Sequence, residues 1–139
     1  MATPAFAQEC GQVEPFISTH NPETLPDRPD DTGSNDRIRA YVASLETFRA
    51  TELEGYNDDL NAFVRELGRI DKAARIAVVK EKCSPEAYVE LRDLINEEYV
   101  KAGDDYLAAY WRGWEVFKKA QKWASEQKDV NIRKAQLGV

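Results

Sequence analysis

Few residues in this chain are of a type and spacing that could do chemistry. A histidine-assisted nucleophile would need His20 as its base, yet His20 is the one histidine and sits in the proline-rich leader among Pro15, Pro22 and Pro26, so a surface role is expected. Paired acids occur at Asp58-Asp59, Glu97-Glu98 and Asp104-Asp105. Neighbours on a helix diverge by about 100°, so such a pair does not chelate as one unit, and there is no Glu-x-x-His for a di-iron centre. The run Asp30-Asp31-Thr32-Gly33-Ser34-Asn35-Asp36 lacks the acid and glycine spacing of a calcium loop. Cys-x-x-Cys-His, needed to attach a c-type haem, is absent. The expectation is a protein that is not an enzyme, with no catalytic residue, cofactor or metal ligand.

Two other groups of residues carry information. Tyr106, Tyr110, Trp111, Trp114 and Phe117 are the densest aromatic cluster, the place to look for a partner or ligand surface, since such rings bury large area at small entropic cost. The same rings at helical spacing also suit a core. The only cysteines, Cys10 and Cys83, are expected to form a disulfide if the protein leaves the reducing cytoplasm. Ala5-Phe6-Ala7 before Gln8 points that way: small residues two apart fit the pockets of signal peptidase, and residues 1–7 then read as a signal remnant, with Met1 as an added start. An ordinary N-terminus that happens to contain Ala-Phe-Ala is the alternative. Export predicts a periplasmic or secreted protein.

Composition sets the bounds. A chain of 139 residues has room for one core. A net charge of -6 disfavours nucleic acid and anionic lipid, which would repel it. No apolar run nears the roughly 20 residues of a transmembrane helix. Acids concentrate in Glu9, Glu14, Glu23, Asp27, Asp30, Asp31 and Asp36, whereas Lys118, Lys119, Lys122, Lys128, Arg133 and Lys134 crowd the other end. Either the basic end is an interaction tail or the two ends attract each other; an internal clasp is favoured.

The elements follow from proline and periodicity. Residues 8–34 hold Pro15, Pro22, Pro26 and Pro29, which forbid a helix and leave an extended leader, while Val13, Phe16, Ile17 and Leu25 suit it to lying on a helical body. Ser34, Asn35 or Asp36 can cap a first helix, whose stripe Ile38, Tyr41, Leu45, Phe48, Leu53, Tyr56, Phe63, Leu67 and Ile70 recurs at helical steps and carries it from 35 to about 82. Ser84-Pro85-Glu86 starts a second helix, from 85 to about 128. A connection this short predicts an all-α antiparallel hairpin over 35–139, in the manner of a coiled coil.

A leader of about 75 Å at polyproline rise matches a helix of about 70 Å, which lets Cys10 reach Cys83. With the fold-back at Cys83, Gly55 falls level with Gly113 and Gly68 with Tyr99, so the glycines are expected to admit aromatic rings, or else to mark kinks. Val100, Leu107, Trp111 and Trp114 form a second apolar face on the second helix. Phe16 and Ile17 of the leader could cover it, or a second copy could, giving a four-helix bundle. The function expected is an exported structural or protein-interaction module, self-associating or bound to another protein. The alternative is a small-ligand carrier with a pocket around Trp111 and Trp114.

Overall fold

The computed structural model describes residues 3–138; Met1 and Ala2, the start of the expected signal remnant, and Val139 lie outside them. The chain is 74% helical, with no strand among the described residues, and two long helical stretches pack together. After a 3-10 turn at Ala7–Glu9 come α1 (Asn35–Phe48), a π-helical segment (Arg49–Leu53), α2 (Glu54–Val79) and α3 (Pro85–Gln136).

Both long stretches start where the capping residues stand. Ser34 accepts a hydrogen bond from the Arg37 amide, and Ser84 accepts one from Ala87 at 3.1 Å with Pro85 at the first helical position. Their ends differ from expectation. α2 stops at Val79 rather than near 82, because Glu81 adopts a left-handed φ of 59°. The Lys82 amide then donates to Ala77 at 2.8 Å and the Glu81 amide to Val78 at 3.0 Å, which closes the helix as a Schellman motif. α3 runs on past 128 to Gln136 and ends at Gly138, whose φ is 71°.

The π segment resolves a fault in the apolar stripe. An α-helical step of four from the buried Phe48 would aim Glu52 at the core. One residue is instead accommodated in a wider turn, in which the Glu54 amide bonds to the Arg49 carbonyl, so that Leu53 is the buried residue and Glu52 faces outward. Neither Gly55 nor Gly68 breaks the helix.

The fold comprises two compact units. In the first, the segment up to Ser18 packs with Asn57–Tyr106. Ala7 and Val13 join Leu67, Ile70, Ala74, Leu91 and Ile95 in one buried cluster. Thr3 fastens this part of the leader: its hydroxyl accepts from the Val13 amide at 2.8 Å and donates to the Val13 carbonyl at 3.2 Å. Cys10 and Cys83 are disulfide-bonded, with Cα atoms 5.3 Å apart. The Tyr88 hydroxyl of α3 donates to Asp71 of α2 at 2.7 Å, which joins the two helices beside the core.

In the second unit, Thr19–Tyr56 packs with the chain from Leu107 onward. Ile38, Tyr41, Leu45, Phe48 and Leu53 meet Phe117, Ala120 and Ala124, with Leu25, Trp114 and Trp123 partly buried around them. Its glycines admit the leader rather than rings from a neighbouring helix. A β-carbon on Gly113 would overlap the Pro22 carbonyl, and one on Gly55 would lie 2.6 Å from the His20 ring. The expected acid and base clasp takes another form. Among the described residues no ion pair joins Asp27, Asp30, Asp31 or Asp36 to the lysines and arginine of 118–134. The leader is held instead by Glu23 to Arg112 at 2.7 Å and by Asn131, which donates to the Thr32 carbonyl and to Asn35. Neutral amides reach carbonyls here at close range, whereas exposed lysines gain little from fixed pairing.

Candidate functional site

All five aromatic residues singled out in the sequence lie on α3, and their surroundings differ. Tyr106 is half-buried and belongs to the first unit. In the second unit Phe117 is a core residue, stacked on Trp114 at 5.4 Å between centroids and tilted against Phe48 at 6.5 Å. Trp114 is half-buried, with the Lys118 ammonium 5.4 Å from its ring centre. Tyr110, also half-buried, meets Trp111 edge to face at 5.6 Å. The cluster therefore grades from core at Phe117 to surface at Trp111.

Trp111 is 49% exposed and Leu107, one turn earlier on the same helix face, is 62% exposed. Phe16 packs on Phe63 of α2 at 5.4 Å, and Ile17 is 78% exposed. A tryptophan with half its surface open leaves on the order of 100 Å² available, so covering it could contribute about 2.5 kcal/mol. Leu107 adds to the same patch. Tyr110, packed against the indole, restricts the ways in which it can turn.

Comparison with known protein families, curated proteins and solved structures finds no match to this chain.

The remaining polar groups of interest serve the leader. His20 lies with Nδ1 3.8 Å from the Glu52 carboxylate, which also accepts from the Asn21 amide at 2.5 Å. The π segment makes this possible by turning Glu52 outward, so His20 and Glu52 anchor a turn of the leader. Asp59 of the first acidic pair accepts from the Ser18 hydroxyl at 2.8 Å. Glu98 is buried while Glu97 is exposed, and Asp104 and Asp105 are both exposed.

Two features escape the sequence reading. Trp123 packs edge to face on Tyr41 at 5.8 Å and carries the Arg28 guanidinium 4.3 Å from its ring centre, a cation–π contact that seats the leader. Its spacing from Ala120 and Phe117 was the available signal. The second is a groove of about 470 Å³ in the first unit, where Asp71, Arg75, Tyr88 and Arg92 stand beside Leu67 and Ile95. Trp111 and Trp114 do not line it. Nor do they line the shallower groove between Thr24–Pro26 and one face of α1 in the second unit.

Proposed function

We propose that the protein is an exported, non-enzymatic interaction module, a helical hairpin turning at residues 80–84 with its Pro-rich leader strapped along it, which binds a protein partner or a second copy through the α3 face bearing Leu107 and Trp111. The observation that carries this reading is the half-exposed Trp111, held by Tyr110 and adjoined by an exposed leucine. Aromatic side chains fixed in this way are the usual anchors of protein interfaces. The Cys10–Cys83 bond supports an oxidising compartment, because such bonds are rare where thiols are kept reduced. No helix among the described residues is long and apolar enough to cross a membrane.

A photoreactive amino acid in place of the exposed Ala108, one turn before Trp111 on α3, introduced in the native cell and activated by light, tests the reading with the anchor intact. The expected result is a covalent adduct with one protein, either another copy or a distinct chain. Recovery of the unmodified 15.8 kDa chain alone would overturn it.

A further inference from the structure

The groove of the first unit combines an apolar floor with charges at one end, and neither Leu107 nor Trp111 is among the residues that line it. Leu67 and Ile95 are buried and form its base, and Tyr99, 56% exposed, stands at its side. Gly68 leaves a gap: a β-carbon there would have nothing within 4 Å. The resulting volume of about 470 Å³ lies within the range of about 300–1,000 Å³ typical of small-ligand sites.

The charges at the far end are arranged rather than merely crowded. Both oxygens of Asp71 are engaged, Oδ1 by the Tyr88 hydroxyl at 2.7 Å and Oδ2 by the Arg75 guanidinium at 3.2 Å. That hydrogen bond, then burial and the Asp71 charge, raises the Tyr88 phenol above its ordinary value, so the ring is neutral at physiological pH. Asp71 thus offsets Arg75. Arg92 also lines the groove, and among the described residues it makes no ion pair, which leaves one positive charge there.

We propose that this groove binds a small amphiphilic anion, an aliphatic or aromatic carboxylate, with its apolar body on Leu67, Ile95 and the gap at Gly68 and its carboxylate on Arg92. One unmatched guanidinium calls for one negative charge, and a planar fork of donors suits a carboxylate. Asn96, also in the lining, can donate a further hydrogen bond.

The test is titration of the intact, disulfide-bonded protein at low ionic strength with 3-phenylpropionate, its neutral amide, phenethylammonium and inorganic phosphate, read by backbone amide chemical shifts. The expected result is saturable shifts at 64–75 and 88–99 with 3-phenylpropionate, at least fivefold weaker with the amide and absent with phosphate. Arg92→Gln should weaken carboxylate binding at least fivefold. Gly68→Phe, on an open helix face, should abolish it while circular dichroism stays unchanged. No saturable shift with 3-phenylpropionate, equal binding of phenethylammonium, or undiminished binding in Gly68→Phe would each overturn the proposal.

Discussion

The carbonyl oxygen of Pro22 occupies the space that a β-carbon on Gly113 would fill. Gly113 is therefore required by a close approach of backbone to helix, while Gly68, with nothing nearby, is not. Alanine should act in opposite directions at the two sites. Gly113→Ala is expected to destabilise by about 1–3 kcal/mol through the displaced leader, and Gly68→Ala to stabilise by about 0.5–1 kcal/mol through helix propensity. Urea unfolding of the two variants checks the signs; equal effects would contradict the placement of the leader.

Glu81 sits at a left-handed position that closes α2. An L side chain there is strained relative to glycine, so Glu81→Gly should raise stability by about 1 kcal/mol. Thermal melting reads the change. An unaltered or lowered midpoint would argue against the Schellman closure.

The Cys10–Cys83 bond spans 73 residues. By the chain-entropy account its loss should cost about 4 kcal/mol. Denaturation of Cys10→Ser, beside thiol titration of the native protein, measures this; two free thiols without reduction, or a cost below about 1 kcal/mol, would contradict it.

Tyr88 gives the fold an alkaline limit. Its phenol is held above the ordinary value of 10.0, first by the hydrogen bond to Asp71, so from that value up to its raised folded value the native protein holds more protons than the unfolded chain. Stability is therefore full below pH 10 and falls as pH rises through the folded value. Tyr88→Phe should lose about 0.5–1 kcal/mol at neutral pH and show a shallower decline above pH 10, measured by urea midpoints across that range.

Legibility in the sequence followed locality. Ser34 and Ser84-Pro85 announce their helix starts because capping depends on residues within one turn, and the stripe from Ile38 onward announces a buried face. The π segment was not legible, since a five-residue step from Phe48 to Leu53 looks like a gap until packing chooses between Glu52 and Leu53. Glu81 hid the end of α2, because the residue usually found at such a position is glycine. The leader's seats are long-range: nothing local says that Pro22 meets Gly113 or that Arg28 meets Trp123. The groove was hidden for the same reason, its Asp71 and Tyr88 being ordinary residues until two helices bring them to 2.7 Å. Ala-Phe-Ala points to cleavage before Gln8, yet Ala7 is fully buried, so removing residues up to Ala7 would take a side chain out of the first core.

The central claim is that Trp111 anchors a protein partner, and paired affinity captures from the native cell envelope, using the wild-type chain and Trp111→Ser as baits, test it most directly. A buried tryptophan anchor contributes about 2 kcal/mol or more, roughly 30-fold in affinity, so the wild type should retain a bound protein, a second copy included, that Trp111→Ser loses at an unchanged melting temperature. Retention of the same protein by both baits, or of none by either, would contradict the account.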